Sequence, residues 1–306
     1  MRIQATRLLL TLAAVPLALA GCTSTSGDQA DGRLTVLASI YPLRYVVEQV
    51  GGDAVTVTTV TPAGADPHSV ELSPRQLRTF SEADVVVYLS GFQPAVDDAV
   101  AQRQPEHLLD AAASADLRLL PAGAAGDNVD GDQPGEVLDP HFWLDPTRLS
   151  NVVQDVARVL SEADPDNADG YVDRAAQLRD ELAVLDAELT AGLADCERDT
   201  VVTSHAAFGY LTDPHGLRQV GVSGIDPEGE PSPARLREVR DVIAELGVTT
   251  VFTEPLADPA VAASLAEGLG VDVGELDPLD SHGDGPDYRE VMQSNLAALR
   301  AGLGCA

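Results

Sequence analysis

The chain has 306 residues, 44% of them hydrophobic, and sets 49 Asp and Glu against 19 basic residues, all Arg, for a formal net charge of −30 at pH 7. A nucleic-acid backbone or an anionic membrane face is held by clustered positive charge, so this balance excludes both as natural partners. The apolar content excludes disorder throughout, and the length fits about two domains.

Taken in chain order, Arg2 and Arg7 precede an apolar run, Leu8 to Ala20, that is too short to span a bilayer and ends abruptly. Residues 1–21 therefore read as a secretory signal. The run closes on Leu19-Ala20-Gly21-Cys22, which resembles the bacterial lipobox. Cys22 is expected to become a lipid-modified N-terminus, anchoring the chain to the cell membrane from outside without inserting it. The Thr-, Ser-, Gly- and Asp-rich stretch that follows makes 22–32 a flexible tether.

Beyond the tether, short apolar runs alternate with helical patterns, the mark of parallel α/β units. Strands are expected at Leu34 to Ala38, Val55 to Val60, Val85 to Leu89 and Leu117 to Leu120. Helices at Pro42 to Val50 and Pro74 to Glu82 each open on a Pro suited to the first turn. A second set of strands runs through Thr200 to Thr203, Arg218 to Val222, Val248 to Thr253 and Val271 to Leu276. Two lobes follow, 33–165 and 197–306. Between them, 166–196 lacks Pro and spaces Leu178, Leu182, Leu185, Leu189 and Leu193 by three and four, an amphipathic helix of roughly 40 Å that can join the lobes as a rigid strut. The segment 121–136 has neither periodicity nor large apolar residues and reads as an acidic surface loop.

Two cysteines remain after Cys22. In an exported, oxidising compartment the pair Cys196 and Cys305 favours a disulfide over free thiols, and neither has the CxxC spacing or neighbouring His of a metal or redox site.

Three of the six histidines follow expected strands or loops at a regular recurrence: His68 in Asp66-Pro67-His68, His141 in Asp139-Pro140-His141-Phe142-Trp143-Leu144-Asp145, and His205 in Thr203-Ser204-His205. Asp277, in Leu276-Asp277-Pro278-Leu279, continues the series. In open α/β sheets ligands bind outside the carboxyl ends of the strands, so two facing lobes would bring these four loop ends together. Three imidazoles and a carboxylate suit the tetrahedral preference of Zn(II); Mn(II) binds nitrogen more weakly and prefers more oxygen. Water competes with Asp277 for the fourth place.

The segments GADPHSVELSPRQ, DPHFWLDP, TSHAAFGYL, EPSP, TEP and LDPL, in this order, resemble the cluster A-I (family 9) metal-binding lipoproteins of bacterial ABC importers, the zinc-binding branch in particular. The resemblance runs from about residue 33 to the C-terminus and implies two (β/α) lobes with parallel sheets, a long backbone helix and a metal in the inter-lobe cleft. It carries the three histidine ligands of zinc members onto His68, His141 and His205. Manganese members usually hold a Glu at the third position, so the resemblance at His205 again points to zinc, with a manganese-binding member of the same family as the alternative. Asp277 matches the carboxylate that closes the site in several members. Two departures stand out: the segment before the DPH block has Asp127, Asp130, Asp132 and Glu136 but none of the histidines some members carry there, and Pro67 occupies a place where some have Glu.

The remaining candidates are weaker. His215 repeats the DPH tripeptide but belongs to the surface after His205, and His107 lies in a polar, exposed segment. His282, a few residues beyond Asp277, is a further ligand candidate. Glu254, at a strand end in Thr253-Glu254-Pro255, is a candidate to orient a ligating imidazole. Trp143 is expected to pack the wall of the site. A zinc hydrolase with Glu71 as base is the competing class, but HExxH is absent and no Ser-His-Asp set can be placed. An adhesin on the same fold would share these residues. The expectation is a monomeric binding lipoprotein, not an enzyme, that captures Zn(II) and docks on an ABC permease, releasing it by small loop shifts around His68 and His205.

Overall fold

The computed structural model describes residues 32–120, 137–256, 259–280, 283 and 285–306. The signal run, Cys22, the acidic segment 121–136 and His282 lie outside the described residues.

The first half builds β1 (Leu34–Ala38), α1 (Tyr41–Gly51), β2 (Val55–Thr59), α2 (Pro74–Glu82), β3 (Val85–Tyr88), α3 (Pro94–Arg103), β4 (His107–Asp110) and the short α4 (Ala112–Ala115). Its four strands are parallel in the order β2-β1-β3-β4. Successive strand residues face opposite sides of the sheet, and both sides are covered. Val36, Ala38, Val85 and Val87 join the main core, whereas Leu37 and Val86 join a smaller one with Phe80 and Val96 from α2 and α3.

The second half repeats the plan. It has β5 (Thr200–Thr203), α7 (Gly209–Thr212), β6 (Arg218–Gly221), α8 (Pro233–Leu246), β7 (Thr250–Thr253), α9 (Pro259–Leu269), β8 (Asp272–Glu275) and α10 (Tyr288–Leu303). The strands are again parallel, ordered β6-β5-β7-β8. Each sheet therefore changes winding direction beside its first strand, where a crevice opens at the carboxyl ends.

Between the halves run α5 (Pro146–Ala163) and α6 (Ala168–Gly192). At 1.5 Å per residue the 25 residues of α6 reach about 37 Å. The helix begins two residues later than expected, because Pro165–Asn167 forms a 3-10 turn, and it ends at Gly192 rather than Cys196. Gly192 is where α10 comes close: a Cβ there would lie 2.9 Å from the Leu296 side chain. Buried Tyr171, Ala175, Leu178, Leu182, Leu185 and Leu189 form its inward stripe. Just beyond, Cys196 and Cys305 are joined by a disulfide and their main chains form an antiparallel bridge.

Two features differ from expectation. Leu117 to Leu120 is not a sheet strand; only Leu119 pairs, in an isolated antiparallel bridge with Leu138. The fourth strand is instead His107–Asp110, an edge strand in which only Leu109 is buried, so it lacks the apolar run of a strand covered on both faces. The two halves also share one core. Val36 and Val85 of the first sheet and Val201 and Phe252 of the second belong to one continuous apolar cluster with α5, α6 and α10, and Arg33–Ala306 forms a single compact unit.

Candidate metal centre

Every Asp-Pro in the site region makes the same local turn. Asp66 Oδ1 accepts the backbone N–H of His68 (2.9 Å), Asp139 Oδ1 that of His141 (3.0 Å) and Asp277 Oδ1 that of Leu279 (2.8 Å). Proline fixes φ at the centre, and the aspartate replaces a main-chain acceptor two residues on. The turn throws the following residue out of the chain direction, and in the first two cases that residue is a histidine.

These turns, with the end of β5, bring His68, His141 and His205 together with Asp280; one ligand atom from each lies within 4.8 Å of all the others. Ring centroids are 5.4 Å apart for His68 and His141, 5.9 Å for His68 and His205, and 5.3 Å for His141 and His205. Asp277, expected as the fourth ligand, is not among the four. Its carboxylate forms the turn, and its main chain is fastened to Asn295, whose Oδ1 accepts from the Asp277 N–H (2.9 Å) and whose Nδ2 donates to the Asp277 carbonyl (2.8 Å). Leu279 then takes a left-handed conformation (φ 62°) and Asp280 follows it into the cluster. The signal was present in the sequence: by analogy with both DPH turns, the aspartate of Asp277-Pro278 is the turn-former, leaving Asp280 as donor.

The Nε2 atoms of all three histidines are buried without a hydrogen-bond partner. An unsatisfied buried polar atom costs about 1–3 kcal/mol, so three of them in one cluster make a place where a shared cation would offset the cost. The other ring nitrogens are occupied on two of them. Asp139 Oδ1 lies 2.9 Å from His141 Nδ1. Glu254, 5% exposed, pairs through Oε2 with His205 Nδ1, while its Oε1 accepts the His205 backbone N–H at 3.0 Å. Each carboxylate selects the tautomer that leaves Nε2 for the ion. Gln219 and Thr203 hold the His205 carbonyl at 3.0 and 2.6 Å. Gln93, buried beneath the His68 loop, donates to the Pro67 carbonyl (3.1 Å) and to Thr61 Oγ1 (2.9 Å). Trp143 is fully buried beside His141.

Burial governs the charges. It drives the His68 and His141 imidazoles well below the ordinary histidine value, and neighbouring imidazoles add to the effect. On His205 burial pulls down too, but Glu254 outweighs it and the net shift is upward. Burial pushes Asp139 and Asp280 up to about 7. Burial thus favours His68 and His141 as neutral donors, while a cation entering the cluster would compete with a proton for Asp280.

The other candidates lie elsewhere. His107 opens the edge strand β4. His215 closes the 3-10 turn Asp213–His215, where its Asp bonds Arg118 (2.8 Å). Glu71 is exposed.

The model of the family described as zinc-uptake complex component A, periplasmic, matches residues 36–302. The chain is 33% identical over 284 residues to the zinc-binding lipoprotein AdcA of Streptococcus pneumoniae serotype 4, covering 89% of this chain and 56% of that protein, so it spans about half the length of this relative. It is 28% identical over 311 residues to the high-affinity zinc uptake system protein ZnuA of Bacillus subtilis, covering 96% of this chain and 97% of that one. Among solved structures it is similar to the Zn(II)-bound ZnuA-like domain of S. pneumoniae AdcA, with a TM-score of 0.74, 31% identity, and 89% and 99% of the two chains covered. It is also similar to the laminin-binding protein Lmb of Streptococcus agalactiae, described as bifunctional with adhesin and metal transporting activity, with a TM-score of 0.76, 30% identity, and 88% and 99% covered.

Proposed function

Because the chain belongs to the family of periplasmic zinc-uptake complex component A proteins, we propose that it captures Zn(II) outside the cytoplasmic membrane and hands it to the permease of an ABC importer. The observation that carries this reading is the convergence of three partnerless imidazole Nε2 atoms and the Asp280 carboxylate. A donor set of three nitrogens and one oxygen suits a d10 ion with tetrahedral preference better than Mn(II), which favours oxygen. The names of the relatives, zinc-binding and zinc uptake proteins, support the same ion.

His68, His141, His205 and Asp280 are the proposed ligands, with Asp139 and Glu254 orienting two of the rings. Four protein donors close a tetrahedral site, whereas a catalytic zinc keeps a position for water or substrate. That supports a carrier over a hydrolase, as does the exposure of Glu71. The proposal extends to a monomer tethered through lipid on Cys22, with lobes 33–165 and 197–306 on either side of the linking helix. Metal analysis of the purified protein tests it. About one zinc per chain, resistant to excess Mn(II), is expected; a metal-free protein that takes up no Zn(II), or one that Mn(II) strips, refutes it.

A further inference from the structure

The segment that carries His141 is fastened from the opposite half of the molecule at two points that touch no metal. On one side stands Tyr210 in α7, five residues beyond His205 and 1% exposed. Its hydroxyl accepts the Arg118 backbone N–H at 2.7 Å and donates to the Asp139 carbonyl at 3.0 Å. Arg118 and Asp139 are themselves joined, the Asp139 N–H donating to the Arg118 carbonyl at 2.8 Å. The phenol ring is gripped by two guanidinium groups, with Arg118 Cζ 4.0 Å and Arg148 Cζ 5.0 Å from its centroid. Arg118 is fixed in turn by Asp213, one residue past α7, at 2.8 Å.

On the other side Trp143 donates from Nε1 to the Pro278 carbonyl at 2.7 Å, two residues before Asp280. The Trp143 carbonyl accepts the Tyr288 hydroxyl at 2.6 Å, at the start of α10. Trp143 and Tyr288 are both fully buried. His141 is thus tied through Asp139 to the chain bearing His205, and through Trp143 to the chain bearing Asp280.

We propose that Tyr210 and Trp143 are positioning residues that brace the His141 segment against the second half, so that His141, His205 and Asp280 form one preassembled half-site whose two cross-braces set how fast zinc leaves. This rests on the zinc-binding reading above. The physical ground is that a donor held within a few tenths of an ångström keeps its bond without paying to be ordered, and that such gains appear in the dissociation rate more than in association. Groups that orient metal ligands commonly matter by roughly 10- to 100-fold in metal affinity.

Zinc release from the full chain to a chromogenic chelator in excess provides the test, with the visible absorption of the Co(II)-loaded protein as a report on donor geometry. Tyr210→Phe keeps the ring between the guanidiniums and removes only the hydroxyl. It should speed zinc release about tenfold and alter the Co(II) bands. Tyr171→Phe is the control, since it removes the hydroxyl that donates to Asp164 (2.8 Å) at the start of α6 and should change neither readout. Trp143→Phe should act like Tyr210→Phe and carries the test should that variant not fold. Wild-type protein that holds neither Zn(II) nor Co(II) would overturn the zinc-binding reading itself. Tight binding in the wild type, with wild-type release and spectra in both brace variants, overturns the brace alone. So does faster release in Tyr171→Phe equal to that in Tyr210→Phe, which would make the effect one of general stability.

Discussion

At the scale of the residue, Asp277 and Asp280 separate a turn-former from a proposed donor, although both belong to one Asp-Pro-Leu-Asp tetrapeptide. Asp280→Ala removes the oxygen donor and should weaken Zn(II) binding by more than the roughly tenfold of a supporting group. Asp277→Ala removes the acceptor that forms the turn, costing at least about 1 kcal/mol of stability, and should disturb affinity less than loss of Asp280. Competition with a zinc chelator measures both, and equal losses, or a larger one at Asp277, would reverse the assignment. The proton balance gives the same experiment a second reading. Asp280 titrates near 7 in the metal-free protein, so below that pH zinc must displace its proton and affinity falls as pH falls. In Asp280→Ala that part of the decline, between about pH 7.5 and 6, should be missing. The convergence of His68, His141 and His205 was legible because each follows a strand end or an Asp-Pro. Asp280 was harder to read: the parallel with the two Asp-Pro-His turns marks Asp277 as a turn-former, but that Asp280 faces inward depends on a left-handed backbone at Leu279, a residue type that gives no hint of it.

At the scale of the element, most strands were legible to within a residue or two, most plainly the inner ones, β1, β3, β5 and β7, whose cover on both faces shows as a short run of apolar and β-branched residues. The exception, β4, lies at an edge with one face open. Contacts between elements were less visible, since they depend on which small residue lets two backbones approach. Gly302 of α10 is one such point: a Cβ there would lie 2.6 Å from Phe252 Cζ and 3.1 Å from Thr250 Cβ, both on β7. Neither neighbour is the free end of a flexible chain, so Gly302→Ala must push the helix off the sheet. Overpacking of this kind typically costs about 1–3 kcal/mol, more than the gain of up to about 1 kcal/mol from replacing a helical glycine. Urea unfolding should show a net loss of stability; an unchanged or raised midpoint would mean that α10 does not bear on β7 as described.

At the scale of the molecule, the twofold recurrence of four strands was readable as two lobes, but the core common to both was not, because periodicity reports only what one element buries and never against what. That core decides how the protein opens. Val36 and Val85 of one sheet and Val201 and Phe252 of the other lie in one apolar cluster with α5 and α6, and the Cys196–Cys305 disulfide fastens the segment after α10 to the chain just beyond α6. A wide hinge motion would have to part this cluster, exposing apolar surface at about 25 cal/mol per Å². Binding one ion among donor atoms that already lie within 4.8 Å of one another needs no such excursion. Small-angle scattering curves of the metal-free and zinc-loaded protein should therefore superimpose within error, while hydrogen exchange changes only in the loops bearing His68, His141, His205 and Asp280. A change in radius of gyration of the size seen in clamshell closure, or exchange changes along the buried stripe of α6, would show that the halves part after all.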